Sequence, residues 1–359
     1  VMALFMPVLA GHLVLPSAFA PIEWHVHELL FGYLGAIITG YVLTAVPNWS
    51  GRLPVVGTPL LWFVALWLAG RVAVLVSSRI GASLAGAIDM TFLLMLGFVI
   101  AREIIVGRNT RNLKILAVVM MLIIANALFH LEVMGGISAG YGARLGIAAA
   151  VFLIMLVGGR IVPSFTRNWL VRGTPGRLPK AFGSFDVVVL AVSAPTLLMW
   201  VLAPQAKPTA IALLAAALFN LVRLARWAGD RTTSEPLVVI MHVAFAFVPI
   251  GFVLVALGIY RPDIIAQSGA LHGWTVGAIG LMTLAIMSRT ILSHTRRSLT
   301  ARWPLVSVYA AAFIAALARI TAAFGAGQQI MLYVAAFAWI GAFSGFLVLN
   351  GPLLMRRSS

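Results

Sequence analysis

Of the 359 residues, 62% are hydrophobic and 9% are charged, whereas a soluble domain carries roughly 25% charged residues. A soluble fold of this length has too little interior to hide that much apolar surface, so the composition predicts a membrane protein. The net charge of +16 does not indicate nucleic-acid binding, because the basic residues fall between apolar runs. There is no cysteine, which excludes disulfides, thiolate metal sites and covalently attached haem.

Apolar runs of about 20 residues, the length that crosses a bilayer, follow one another along the chain. They predict an all-α fold, a polytopic membrane helix bundle of about 12 transmembrane helices in a single transmembrane domain, 1–359. The predicted helices are 1–19, 25–46, 58–78, 83–102, 114–133, 142–163, 184–203, 209–228, 236–259, 268–289, 303–324 and 328–355. A basic loop at 160–183 divides them into six plus six. The chain opens at Val1 without a charged start or a cleavage site, which predicts no signal peptide and further residues upstream.

The positions of Lys and Arg predict the orientation of the bundle. With cytoplasmic N- and C-termini, 19 of the 25 basic residues lie in the inner loops and the tail, from Arg52 to Arg356 and Arg357. The outer loops and outer helix ends keep Arg71, Arg79, Arg144, Lys207, Arg261 and Arg319. Because basic residues concentrate on the cytoplasmic side of membrane proteins, this distribution favours that orientation.

Histidine is the most informative ionisable residue. The second predicted helix opens with Trp24-His25-Val26-His27-Glu28. Residues two apart on an α-helix point about 200° away from each other, so His25 and His27 cannot bind one metal ion unless the turn is unwound. Glu28 shares a helical face with His25 and could accept its second ring proton. The alternative is that these are polar residues at a helix start.

The other histidines fall at both membrane faces. His130 and His272 are predicted at the outer side, and His272 lies beside a ridge of glycines four apart. Such a ridge lets a neighbouring helix pack closely or leaves room for a flat macrocycle. His242 and His294 are predicted at the inner side, where they either pair as a second axial or metal site or simply end their helices. His12 is isolated.

Two arginines, Arg71 and Arg319, are predicted inside the outer ends of helices 3 and 11. One interpretation is a salt bridge to an outer carboxylate such as Asp89. The other is a pair of cations that hold an anionic group, for example haem propionates, at the level of the outer histidines.

Four segments in the same order along the chain resemble the NnrS family of membrane proteins. They are WHVHELLFGY at 24–33, LTAVPNW at 43–49, GGRIVPSFT at 158–166 and LHGWTVGAIG at 271–280, the last running on to His294. Together they span most of the chain and are more specific than any single motif. The resemblance implies a haem- and copper-containing protein of the bacterial inner (cytoplasmic) membrane, linked to nitric oxide metabolism and nitrosative stress.

The resemblance also implies cofactors and ligands for particular residues. It implies non-covalent, b-type haem and copper, with nitric oxide or another small gaseous molecule as the ligand. The outer centre would use His25, His27 and His272, with Arg71 and Arg319 for the propionates, and His242 and His294 would form a second centre. If the chain is an enzyme, the resemblance implies an oxidoreductase acting on nitric oxide. The other partner is the lipid bilayer, and glycine-rich helix faces permit a homodimer.

Three alternatives remain from the sequence. A haem-copper oxidase or nitric oxide reductase would also have twelve helices and histidine-bound haem, but the chain has no adjacent pair of histidines. A cofactor-free secondary transporter would suit a six-plus-six arrangement, but no carboxylate lies mid-span and no internal repeat is evident. A membrane scaffold for denitrification proteins is the third.

Overall fold

The structure is a computed structural model that describes residues 1–45, 54–136, 140–173, 175–325 and 327–355. All regular elements in these residues are helices. They are α1 Met2–Leu9, α2 Pro21–Thr44, α3 Thr58–Leu75, α4 Ala82–Val106, α5 Thr110–Val133, α6 Tyr141–Leu170, α7 Ser184–Leu202, α8 Lys207–Arg231, α9 Pro236–Tyr260, α10 Gln267–His294, α11 Trp303–Ala323 and α12 Gln328–Met355. Arg52, Arg356, Arg357 and most of the 43–49 motif lie outside the described residues.

The helix starts follow local chemistry. Proline stands in the first turn of α2, α3, α8, α9 and α11, where its fixed φ suits the helix and its missing N–H costs no bond. Carboxylates then satisfy backbone N–H groups that have no partner within the helix. Glu23 accepts from the N–H of Ala20 at 2.9 Å, and Glu235 accepts from the N–H of Leu237 at 3.0 Å.

Within the described residues, eleven helices, α2 to α12, are long and apolar enough to cross a membrane. This confirms the all-α, multi-pass prediction, with one difference in the first span. The predicted helix 1–19 is helical only over α1, whose eight residues extend about 12 Å at 1.5 Å per residue. Gly11 then has a φ of +75°, and the chain beyond it is not helical up to α2. There the side-chain hydroxyl of Ser17 donates to the carbonyl of Val74 at 2.9 Å. Which face of the bilayer each end occupies remains a prediction.

Two helices continue five or more residues beyond their predicted ends. α6 runs to Leu170 and α10 to His294, so the predicted loop 160–183 begins inside a helix. In the last part of α6 the buried residues recur at helical spacing, namely Gly159, Val162, Pro163, Thr166 and Leu170. Burial of this stripe stabilises the last turns of α6, which are too polar to be recognised from apolar composition alone.

Among the described residues, three helices contain a segment of π-helix, of which two lie inside one of the four motifs and one ends where a motif begins. The segments are Glu28–Tyr33 in α2, Ile154–Gly158 in α6 and Gly273–Gly280 in α10. A π-helical turn holds an extra residue and changes which side chains share a face, and such turns occur frequently at functional sites.

The chain divides into two compact units, residues 1–150 and 151–359, and the division falls inside α6. The first unit contains α1 to α5 and the start of α6. The second contains the rest of α6 and α7 to α12. The six-plus-six division of a single transmembrane domain remains a prediction.

Candidate metal centre

A group of buried polar side chains lies at one end of α2, α3, α4 and α5, within the first compact unit. We call it the His–Asp cluster, and its members are His27, Glu28, Arg71, Asp89, Asn126 and His130. α2 and α4 start at this end, and α3 and α5 finish at it. No member lies more than seven residues from its helix end, which is about 10 Å along the axis.

Local sequence explains how two of the helices present their polar residues. His27 is the last residue of the α-helical start of α2, and Glu28 is the first residue of the π-helical segment. On α5, Asn126 and His130 are four residues apart, so they lie one above the other on a single face. All four of these side chains are buried.

Asp89 is the hub of the cluster. Its Oδ2 accepts from the amide nitrogen of Asn126 at 2.9 Å, and it lies 3.0 Å from Nε2 of His130 and 3.2 Å from Nε2 of His27. Its Oδ1 forms an ion pair with Nη2 of Arg71. Both oxygens of this one carboxylate therefore serve the cluster, the first toward the arginine and the second toward the imidazoles.

The amide of Asn126 has its orientation dictated by Asp89. A carboxylate only accepts, so the Asn126 nitrogen must face Asp89 and its oxygen must face His27. The Asn126 oxygen lies 3.0 Å from Nε2 of His27. Nε2 of His27 thus faces two acceptors, and it must carry either a proton or a metal ion.

The charges within the cluster do not cancel. Arg71 also binds Glu28, through Nη1 and Oε1 at 2.5 Å, so one guanidinium stands against two carboxylates. The side chains of Glu28, Arg71 and Asp89 are between 1% and 13% exposed. An unbalanced buried charge is costly, and so the cluster needs one further positive charge. A proton on an imidazole or a bound metal cation would supply it.

Glycines bring the four helices close enough for these contacts. A Cβ on Gly70 would lie 2.7 Å from Oδ1 of Asp89, and one on Gly86 would lie 3.1 Å from the ring of His130. A Cβ on Gly32 would lie 2.5 Å from Nη1 of Arg71. Each of α2, α3 and α4 therefore lacks a side chain where the cluster needs room.

Aromatic rings enclose His27. Its ring centroid lies 5.2 Å from that of Phe19, 5.3 Å from that of Phe31 and 5.5 Å from that of Phe129. His27 is fully buried. These rings keep water away from the imidazole and lower the local dielectric, which strengthens its interactions with charged groups.

The donor atoms fit a metal ion. His27, Asp89 and His130 each offer a ligand atom, and these atoms lie within 4.8 Å of one another. Metal–nitrogen and metal–oxygen bonds of about 2.0–2.2 Å place neighbouring ligand atoms about 3 Å apart. The distances of 3.0 and 3.2 Å from Asp89 to the two imidazoles match that spacing. Two imidazoles and a carboxylate suit copper, iron or zinc.

His25 faces a different neighbour, as residues two apart on a helix should. Its ring stacks on Phe5 of α1 at 4.0 Å, with 19° between the planes. Glu28 was expected beside His25, but it contacts His27 and Arg71 instead, at the point where the π-helical segment begins. Of the two interpretations of Arg71, the ion pair with Asp89 is present.

In the second unit, His272 and Arg319 lie at the same level of neighbouring helices. The N–H of Ala266, just before α10, donates to the carbonyl of Ala323 at the end of α11, at 3.1 Å. His272 follows Ala266 by six residues and Arg319 precedes Ala323 by four, so the two lie within about 3 Å of the same height along the helices. Nδ1 of His272 lies 3.2 Å from the carbonyl of Gly269, so Nδ1 carries the proton and Nε2 is the nitrogen suited to a metal.

The remaining predicted site residues are in less enclosed positions. Arg319 is half-buried, and no ion pair or hydrogen bond joins it to any described residue. Nε2 of His242 lies 2.8 Å from the hydroxyl of Thr166, and its ring stands edge-on to Trp227. His294 and His12 are exposed. Among described residues, no hydrogen bond or ring contact joins His242 to His294.

The fold and the cluster define a multi-pass α-helical membrane protein with a candidate metal centre buried near one end of four helices. Comparison with protein families then identifies it further. The chain belongs to the NnrS family: the family model described as "NnrS protein" matches residues 1–358. Membership supports a membrane protein related to the nitric oxide response, in a family known as metal-binding. Neither a search of curated proteins nor a search of solved structures found a match.

Sequence reasoning found part of this site. It singled out His27 and Arg71 and named Asp89 as a partner for Arg71. It placed His130 on the predicted outer side but gave it no role, and it passed over Asn126. The available signal was the four-residue spacing of Asn126 and His130, two polar residues on one face of an otherwise apolar helix.

Proposed function

We propose that this chain is a haem- and copper-containing protein of the bacterial inner membrane that binds nitric oxide, and that its His–Asp cluster holds the copper ion. The observation that carries the proposal is the unbalanced negative charge beside three metal-binding side chains, His27, Asp89 and His130. A copper ion would satisfy that charge and the donor spacing together. When bound, it would supply a redox-active centre that a small gas molecule can reach through lipid and protein.

The surrounding residues have distinct tasks in this proposal. Arg71 engages Oδ1 of Asp89 and leaves Oδ2 toward the imidazoles. Asn126 fixes the orientation of Asp89 and faces His27. Phe19 and Phe129 pack against His27 and exclude water from the metal site. A weakly polar ligand such as nitric oxide therefore does not have to displace water molecules from the metal ion. The protein therefore holds the metal-binding atoms, fixes their orientation and keeps water away from them.

The haem is proposed at the predicted outer level of the helices in the second unit, with His272 as a candidate ligand and Arg319 beside it. Two observations support this part of the proposal. The hydrogen bond to the Gly269 carbonyl orients His272 with Nε2 as the ligand nitrogen. Within the described part of the chain no hydrogen bond or ion pair engages the Arg319 guanidinium, which could therefore bind a propionate. His242 and His294 remain a proposed second centre, although Thr166 already contacts Nε2 of His242.

The test is to count metals and haem in the detergent-purified protein. Cells supplied with haem precursor, iron and copper would express the wild type and the His130→Gln, His272→Ala and His12→Gln variants. Copper and iron would be measured by elemental analysis, and haem by reduced and oxidised absorption spectra. The exposed His12, which has no role in the proposal, provides the matched control for loss of an imidazole at the cluster.

We expect His130→Gln to lose copper and keep haem, and His272→Ala to lose the Soret band and keep copper. A wild type that is colourless and copper-free, although folded by size-exclusion chromatography, would contradict the proposal and favour the cofactor-free transporter. If His130→Gln retained as much copper as the wild type, the copper ion would not be bound at the His–Asp cluster.

A further inference from the structure

We propose that the second unit carries a binding site for an anionic phospholipid, which is independent of the metal centre. One acyl chain would occupy a groove between α9 and α11, and Arg289 of α10 would hold the phosphate of the headgroup. The proposal combines an apolar groove, an uncommitted guanidinium next to it and an excess of positive charge at the same helix ends.

The groove runs along the first turns of α9 and α11. It has a volume of about 240 Å³ and is lined by Pro236, Val239 and Val243 from α9 and by Val306, Ala310 and Phe313 from α11. Its lining is almost wholly apolar and it opens to the outside of the protein. Since both helices begin at this end, the groove extends from the membrane surface toward the middle of one leaflet.

Arg289 stands beside the inner wall of the groove. Tyr309 lines the groove, and its hydroxyl lies near Ser288 and Arg289. The guanidinium of Arg289 packs over the ring of Phe165, with its central carbon 3.8 Å from the ring centre. It is half-buried, yet among the described residues no hydrogen bond or ion pair engages its N–H groups. Such a guanidinium has the shape and charge to bind a phosphate bidentately.

Charge at this end favours an anion. Glu235 and Arg172 both interact electrostatically with the guanidinium of Arg289. Glu235 is already committed, since its Oε1 accepts from the N–H groups of Leu237 and Ala301 at 3.0 and 3.2 Å. The adjoining loop adds the exposed Arg296, Arg297 and Arg302. One carboxylate therefore stands among five arginines.

These features together select a lipid over other occupants. Trp303, at the start of α11, is 84% exposed, as is common for tryptophan at the level of lipid headgroups. A basic site at the end of transmembrane helices is a typical site for anionic headgroups. The acyl chain of a zwitterionic lipid would fill the groove equally well. Its positively charged headgroup amine, however, would lie near the arginines and be repelled by them.

The experiment measures lipid binding to the whole detergent-purified protein. Wild type and variants would be titrated with dioleoyl phosphatidylglycerol and with dioleoyl phosphatidylcholine, and bound lipids counted by native mass spectrometry. Arg289→Gln removes the headgroup contact and Ala310→Trp fills the groove. Arg111→Gln, an exposed arginine in the first unit, is the control for the change in charge.

We expect wild type and Arg111→Gln to retain one phosphatidylglycerol in preference to phosphatidylcholine. Arg289→Gln should bind phosphatidylglycerol about fivefold more weakly, as for the loss of one arginine near a lipid headgroup. Ala310→Trp should lose the bound lipid. Equal retention of the two lipids by wild type, or undiminished phosphatidylglycerol binding by either site variant, would overturn the proposal. The proposal would also be overturned if the groove bound a second copy of the chain. In that case the wild type would be a dimer, and Ala310→Trp would dissociate it without changing lipid binding.

Discussion

Each unit of this protein contains an arginine that forms an ion pair with an aspartate inside the protein. In only one of the two sites do the charges of the paired side chains balance. In the second unit, Nε of Arg223 donates to Asp186 at 2.7 Å and Nη1 to the carbonyl of Met155 at 2.8 Å, in the π-helical segment of α6. One guanidinium meets one carboxylate. In the His–Asp cluster, Arg71 meets both Glu28 and Asp89. The difference separates a structural site from one that calls for an additional cation.

Their surroundings differ in the same way. Arg223 is fully buried against Gly159, where a methyl group would overlap the guanidinium, and it lies near the rings of Phe182, Trp227 and Phe245. Its neighbours are packing groups. Asp89 instead faces two imidazoles and an amide. A buried carboxylate beside two imidazoles that can bind a metal is the better candidate for chemistry.

The largest expected effect tests whether the Arg223 site is purely structural. Arg223→Leu leaves Asp186 buried without its partner and should lower the free energy of unfolding by about 3–5 kcal/mol. The double variant Arg223→Leu, Asp186→Leu removes both charges and should recover most of that loss. Thermal unfolding in detergent provides the comparison. Copper content per folded molecule should not change in these variants. A fall in copper would contradict the assignment of the Arg223 site as purely structural.

A second prediction concerns the positioning of the metal ligands. Asn126→Leu keeps the approximate volume but removes the contacts with His27 and Asp89. Residues that orient ligands typically contribute about 10–100-fold to metal affinity, and we expect a loss in that range, measured by competition with a copper chelator. Asn220→Leu is the matched control, because Asn220 is a buried asparagine bonded to Ser193 in the second unit. Equal copper affinity in both variants would contradict the assigned role of Asn126.

A smaller effect is expected from adding one methyl group beside the cluster. In Gly86→Ala the new Cβ would lie 3.1 Å from the His130 ring, so the ring must shift by a few tenths of an ångström. Copper affinity should fall by less than in Asn126→Leu, with a shift in the copper absorption or paramagnetic resonance spectrum. Gly40→Ala, where no atom lies within 4 Å of the new Cβ, should leave the spectrum unchanged. An identical spectrum in Gly86→Ala would indicate that His130 is not a ligand.

The smallest effect is expected at an exposed ion pair. Arg177 and Asp230 are 2.5 Å apart, but their side chains are 53% and 65% exposed. Asp230→Asn should change the free energy of unfolding by less than about 1 kcal/mol, since exposed pairs are screened by water and salt. Thermal unfolding at low and high salt would measure it. A loss comparable to that of Arg223→Leu would show that burial is not what distinguishes these arginines.

Sequence reasoning predicted the class of fold and missed the extent of particular elements. Length and hydropathy sufficed for α2 to α12, because a bilayer imposes the same requirement on each span. They failed at residues 1–19, which are apolar but interrupted by a turn at Gly11 and side-chain bonding at Ser17. They also ended α6 too early, because its last turns are stabilised by a buried stripe rather than by overall apolarity.

For the site, sequence alone determined the chemistry that was available. With no cysteine, the side chains available to a metal were imidazole, carboxylate and the methionine thioether, and the opposed directions of His25 and His27 followed from helical geometry. Only the tertiary structure decided which residues meet. His27, Asp89 and His130 come from α2, α4 and α5, and three glycines set how closely these helices and α3 approach. Residues more than 40 positions apart in sequence are brought together by helix packing, which no local pattern encodes.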